Sequence, residues 1–199
     1  MGKHELIGKK APELSLPNHG GDMFAFTPGG RPVVIFFYPA SGSYGCTKEA
    51  CSFRDALSGE EVFKSTQVEI IGISPDPVEK QKSFVDKHGL TYPILSDAKG
   101  EARKAYSVGK ALLGLAQSSR VTFVIDSEGI VKYESLHLRF YPSSADTLLP
   151  TRDVYDSTLH FSAHKKFVED WLKTIQPKEP SATTSAPEPA PAPAEQSSN

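Results

Sequence analysis

Residues 32–57 read PVVIFFYPASGSYGCTKEACSFRDAL. After the opening proline, Val33 to Tyr38 is an unbroken run of β-branched and aromatic side chains, the pattern of a strand buried on both faces. Pro39 stops it. From Thr47 to Leu57 the residues are helix formers, with Ala50, Phe53, Ala56 and Leu57 at spacings of three and four, which predicts a helix. A doubly buried strand leading through a Gly/Ser loop into a helix is the start of a layered α/β structure.

The flanking sequence extends that pattern. Residues 12–17 and 22–26 carry apolar positions around Asn18-His19-Gly20-Gly21 and read as a hairpin. Gln67 to Ile73 is a second buried strand. Pro77 suits the first turn of a helix over VEKQKSFVDKHG, and Gly89 its C-terminal stop. Asp97 to Tyr106 reads as a short helix and Val121 to Ile125 as a third buried strand. Ser127-Glu128-Gly129 turns the chain into an alternating strand over 130–138. Ser162 to Ile175 is amphipathic, with Phe167, Val168, Trp171, Leu172 and Ile175 on one face. The fold class is therefore α/β, a central sheet flanked by helices with an N-terminal hairpin. Residues 139–159, with no clear period, are expected to be a loop. From Pro177 the chain has six prolines and no apolar side chain larger than alanine. Such a segment cannot bury enough surface to offset ordering, so residues 1–176 form the expected domain and 177–199 a disordered tail.

Composition narrows the function. The 199 residues are 38% hydrophobic and 23% charged, with 24 acidic against 22 basic side chains. A net charge of −2 provides no basic field for nucleic acid. No apolar run approaches the ~18 residues of a membrane span. The opening MGKHELIGKKAPEL lacks the apolar stretch of a signal peptide, and Leu6 stands where a myristoylation signal needs Ser or Thr. A cytosolic or nuclear protein without membrane or nucleic-acid partners is expected.

The two cysteines, Cys46 and Cys51, are five residues apart. A structural staple closing so short a loop would add only roughly 2 kcal/mol, and zinc wants four ligands where no histidine is near. Buried thiols that merely pack and a redox pair both remain open. Cys46 follows a buried strand and opens a helix, where unpaired N–H groups and the helix dipole stabilise a thiolate. In an intact helix, residues five apart lie about 8–9 Å apart between Cα atoms. A disulfide needs roughly 4.4–6.8 Å. Any bond between Cys46 and Cys51 therefore requires the helix to unwind locally.

The segment FFYPASGSYGCTKEAC resembles the active-site segment of the Q-type peroxiredoxins, also called bacterioferritin comigratory proteins. Pro39, Ser43 and Cys46 match the pattern Pro, three residues, Thr or Ser, two residues, Cys, and GCTKEAC places Cys51 where the Q-type subgroup has its second cysteine. The resemblance continues through residues 70–97 and 119–126. It implies a thioredoxin-like fold and a thiol-dependent peroxidase acting on hydrogen peroxide and small organic hydroperoxides. Cys46 would be the peroxidatic cysteine, passing through a sulfenic acid, and Cys51 the resolving cysteine of an intramolecular disulfide recycled by thioredoxin or a similar dithiol protein. Arg120 would be the catalytic arginine, Ser43 would hydrogen-bond the peroxide or thiolate, and Pro39 would shape the loop. No cofactor or metal is implied, and a monomer is expected. The alternative reading is a peroxide sensor or relay that passes its disulfide to a partner protein. Two departures bear on rate and substrate preference: Ser43 replaces the usual Thr, and Tyr44 the usual Pro.

Other residues read first as structural. Arg54 is expected to pair at the surface with Asp55 or Glu49. Glu49 is expected to be a solvated helix carboxylate, its second reading being to accept a proton or to orient Arg120. His160 and His164 share a helical spacing but lack a third ligand, so both are expected to face solvent. Phe37 and Tyr38 are expected in the core and pocket wall.

Overall fold

The computed structural model describes residues 4–109, 118–136 and 161–175. The expected loop over 139–159, His160 and the tail from Pro177 lie outside them. The order of elements is β1 (Leu14–Pro17), β2 (Met23–Phe26), β3 (Val33–Phe37), α1 (Tyr44–Gly59), α2 (Glu61–Ser65), β4 (Glu69–Ser74), α3 (Val78–His88), β5 (Ile94–Ser96), α4 (Glu101–Ala105), β6 (Val121–Ile125), β7 (Val131–Leu136) and α5 (Phe161–Ile175).

Five strands form a mixed sheet in the order β5-β4-β3-β6-β7. β3, the strand encoded by VVIFF, is central. It pairs parallel with β4, Ile35 opposite Ile71, and antiparallel with β6, Ile35 opposite Phe123. Its alternate residues enter two cores, which is why no polar position interrupts it. Val34, Phe36 and the following Tyr38 face Ala50, Phe53 and Ala56 of α1, Phe84 of α3 and Val168, Trp171 and Leu172 of α5. Val33, Ile35 and Phe37 face the β1–β2 hairpin through Leu14, Leu16 and Phe26, and α4 through Ala102. The expected layered sheet with its N-terminal hairpin is thus present. One face carries α1, α3 and α5, and the other the hairpin and the short α4.

Local differences from expectation have local causes. α1 begins at Tyr44, three residues early, because Ser43 is extended (φ −68°, ψ 152°) and its carbonyl already accepts the Thr47 N–H at 2.9 Å. α2 was not anticipated. Glu60 ends α1 and starts α2 in one extended residue, and the second helix forms to bury Val62 and Phe63. β5, three residues long, is too short for periodicity to reveal. α4 covers only Glu101–Ala105, since the Asp97 carboxylate, rather than lying in the helix, receives the N–H groups of Ala102 and Arg103 at 3.0 Å each. Gly89 ends α3 in the left-handed region (φ 59°), as its sequence position predicted. Gly72 of β4 permits close packing: a Cβ there would lie 2.6 Å from Ile94 Cδ1 and 2.7 Å from Phe36 Cζ. Ile175, expected on the buried face of α5, is exposed at its end. Among the described residues, no helix is long and apolar enough to cross a membrane.

Candidate active site

The chain leaves the sheet at Tyr38, whose N–H still bonds the Ile73 carbonyl at 3.0 Å, and Pro39 opens the loop into α1. That loop is anchored from below. The Ser41 N–H donates to Asp76 Oδ2 at 2.5 Å, and the Ser41 and Tyr38 hydroxyls both reach Gln81 Oε1, at 2.9 and 2.8 Å. Gln81 Nε2 donates onward to Ser74 Oγ at 2.7 Å and the Leu95 carbonyl at 3.1 Å, so the buried amide is satisfied at both ends. Burial alone would raise the Asp76 carboxyl. Hydrogen bonds from Lys80, the Ser41 N–H and Ser74 outweigh it and hold the group below its ordinary range. These groups join the loop to the end of β4 and the start of α3.

Cys46 is the third residue of α1 and is fully buried. Arg120, just before β6, donates from Nη2 to Cys46 Sγ at 3.1 Å and from Nη1 to Glu49 Oε2. One guanidinium therefore bridges the sulfur and the carboxylate, using the fork geometry that a lysine lacks. Burial works against the Arg120 charge, but Glu49 and Cys46 more than offset it, and its pKa lies above the ordinary value. The expectation of a solvated Glu49 is overturned: it lies three residues after Cys46 on the same helix face and is fully buried. Burial pushes its carboxyl up to about 7, against the pull of Arg120.

The expectation of a solvent-facing His164 is overturned too. It is fully buried on α5, with Nδ1 3.3 Å from Glu49 Oε1 and 2.6 Å from the Thr122 hydroxyl of β6. Its position four residues before Val168 on the apolar stripe of α5 was the available signal. Thr122 carried none beyond its place in a buried strand.

Cys51 lies five residues along α1, half-buried, and both cysteines are free thiols. Both sit within the intact helix, the arrangement in which direct bonding is geometrically excluded. Between them, the Ala50 carbonyl accepts the Tyr92 hydroxyl at 2.8 Å. Burial raises that phenol well above its ordinary pKa, so it donates as a neutral hydroxyl. Ser43 is the N-cap of α1 but is exposed, and its hydroxyl makes no cap hydrogen bond. Tyr44 is 73% exposed, with the Lys48 ammonium 5.8 Å from its ring centroid. Arg54 pairs with Asp55 at 2.7 Å as expected and also donates to the His88 carbonyl. Phe37 and Tyr38 are fully buried.

Residues 7–134 match the family described as AhpC/TSA. A Mycobacterium tuberculosis protein that bears the name peroxiredoxin is 40% identical over 130 residues, 61% of this chain and 79% of its own length. Rice (Oryza sativa subsp. japonica) chloroplastic peroxiredoxin Q is 40% identical over 127 residues, 63% of this chain but 57% of its own. Among solved structures, the peroxidoxin BcpB of M. tuberculosis superposes with a TM-score of 0.67 at 32% identity, over 87% of this chain and all of the other. Peroxiredoxin Q of Xanthomonas campestris shares the fold, with a TM-score of 0.62 at 24% identity over 82% of this chain and 92% of the other. With a cysteine at the start of the helix after the central strand and an arginine on its sulfur, the chain belongs to the AhpC/TSA family as a peroxiredoxin of the Q type, a peroxidase.

Proposed function

We propose that the chain reduces hydrogen peroxide and small organic hydroperoxides with Cys46 as nucleophile and Cys51 as resolving thiol. The observation that carries this reading is the Arg120 guanidinium, 3.1 Å from Cys46 Sγ at the first turn of α1 and held from behind by buried Glu49. A cation and helix N-terminal N–H groups together stabilise negative charge on sulfur. The thiolate attacks one peroxide oxygen. The O–O bond breaks, sulfur becomes a sulfenic acid, and the departing alkoxide or hydroxide takes a proton to leave as alcohol or water. The first turns of α1 then open, and the Cys51 sulfur displaces water from the sulfenic acid to give the disulfide. A dithiol protein of the thioredoxin kind attacks that disulfide and leaves both thiols reduced while becoming oxidised itself. Pro39 and the Asp76–Ser41 contact hold the loop, and Ser43 offers its exposed hydroxyl to the incoming peroxide.

The test is an intact mass after one equivalent of hydrogen peroxide. Wild type is expected to lose about 2 Da, Cys51→Ser to gain about 16 Da, and Cys46→Ser to remain unchanged. A Cys51→Ser variant that turned over with thioredoxin as fast as wild type would remove Cys51 from the cycle.

A further inference from the structure

Arg120 has a partner on each side, and the second of these, Glu49, has a neighbour of its own. Glu49 Oε2 is taken by Arg120, whereas Oε1 is buried and makes no hydrogen bond among the described residues. Facing it at 3.3 Å is His164 Nδ1, fixed in turn by the Thr122 hydroxyl at 2.6 Å. Among the described residues, Arg120 before β6 and His164 on α5 contact Glu49 directly, and the Tyr92 phenol before β5 interacts with it electrostatically, while Cys46 on α1 and Thr122 on β6 stand one contact further out, on Arg120 and on His164. With Cys46 as a thiol, Arg120 and Glu49 cancel. With Cys46 as a thiolate, the three groups sum to one buried negative charge, which is costly unless a proton neutralises it. Glu49 and His164 are the groups placed to hold that proton.

We propose that His164 is a positioning residue for peroxide reduction: with Thr122 it shares a proton with Glu49, and that proton sets whether Arg120 is drawn back to the carboxylate or left to the Cys46 sulfur. The proposal rests on the peroxidase reading of Cys46. When the Glu49–His164 pair is protonated, the guanidinium is the thiolate's counter-ion. When the proton is lost, the carboxylate competes for Arg120 and adds negative charge beside the sulfur. The reactivity of Cys46 therefore falls as the pair deprotonates. The proton affinity of the pair is the sum over its two sites, so removing His164 lowers it. Burial, which lifts Glu49 to about 7, keeps this equilibrium in the working pH range.

The experiment measures alkylation of Cys46 by iodoacetamide between pH 5 and 9.5 in the full chain with Cys51→Ser, so that one thiol reports. It compares that parent with His164→Gln and Thr122→Val. In His164→Gln the high-pH limb is expected to move down by about half a unit or more, and Thr122→Val should move it the same way by less. Profiles of the folded variants that superpose on the parent after scaling overturn the proposal. If His164→Gln does not fold, Thr122→Val, which keeps the β-branched shape of the strand, decides alone. Hydrogen peroxide is then tested on the same proteins. A Cys46 whose alkylation depends on His164 but which peroxide does not oxidise refutes the peroxidase reading, and the positioning role in peroxide reduction falls with it. Loss of the limb shift while peroxide oxidation persists overturns the His164 proposal alone.

Discussion

Replacing Tyr92 by phenylalanine removes one hydroxyl, the donor to the Ala50 carbonyl at 2.8 Å, and leaves the ring in place beside Phe36, 6.0 Å between centroids. The acceptor lies between Cys46 and Cys51, in the turn that must unwind before the sulfurs can meet. In the opened state the Tyr92 hydroxyl and the Ala50 carbonyl are free to bond water, so the net value of this contact opposes opening. A neutral buried hydrogen bond contributes about 1 kcal/mol net, which corresponds to about a fivefold change in the opening equilibrium. Tyr92→Phe is therefore expected to form the Cys46–Cys51 disulfide about five times faster, with the preceding oxidation of Cys46 unchanged because the hydroxyl does not touch the sulfur or Arg120. The sole tryptophan, Trp171, packs in the same core as Cys46 and reports both phases by stopped-flow fluorescence, with quenched intact mass assigning them. Under excess peroxide, the fraction trapped as sulfinic acid should fall in parallel, since the sulfenic acid is exposed to a second peroxide for less time. A folded Tyr92→Phe protein with an unaltered disulfide rate would refute the view that this contact restrains opening.

Arg120→Lys keeps the charge but cannot bridge sulfur and carboxylate with one planar group. Loss of a charge-assisted contact of about 1.5–3 kcal/mol predicts a fall of about tenfold to a hundredfold in the second-order rate constant with peroxide, and a change under threefold would contradict it. Glu49→Gln tests the raised carboxyl through stability. The folded chain binds a proton at Glu49 up to about pH 7, well above the ordinary carboxylate range, so its stabilising contribution is full in acid and is lost as pH rises through about 7. Urea midpoints at pH 5 and pH 8 should therefore show wild type losing stability relative to Glu49→Gln at the higher pH. A constant difference would mean that Glu49 is ionised throughout.

How much was legible depends on how far apart the cooperating residues lie. The strand–loop–helix unit at 33–59, the Gly89 stop and the hairpin follow from short-range patterns, because burial on both faces and backbone stereochemistry act within a few residues. α2 and β5 escaped because five and three residues span too few periods, and they form because neighbouring elements bury them. Glu49 misled because a carboxylate on a helix is usually solvated. Its spacing of three from Cys46 put it on the buried face, but only the arrival of Arg120, 71 residues later, makes that burial tolerable. His164 likewise lay on a readable apolar stripe, yet nothing local could say that the stripe would meet Glu49.

The amino-acid sequence by itself determined the layered α/β class, the placement of Cys46 where a buried strand gives way to a helix, and the requirement that this helix open before Cys51 can reach it. These depend on residue type and on distances along one element. Tertiary structure alone decided which charges surround the sulfur, since Arg120, Glu49, His164 and Thr122 come from separate segments joined by packing of α1 and α5 against β6. Tertiary packing also brought the Tyr92 hydroxyl onto the Ala50 carbonyl between the cysteines. Electrostatic and hydrogen-bond energies depend on separation in space and on the exclusion of water, and neither exists until the chain has folded.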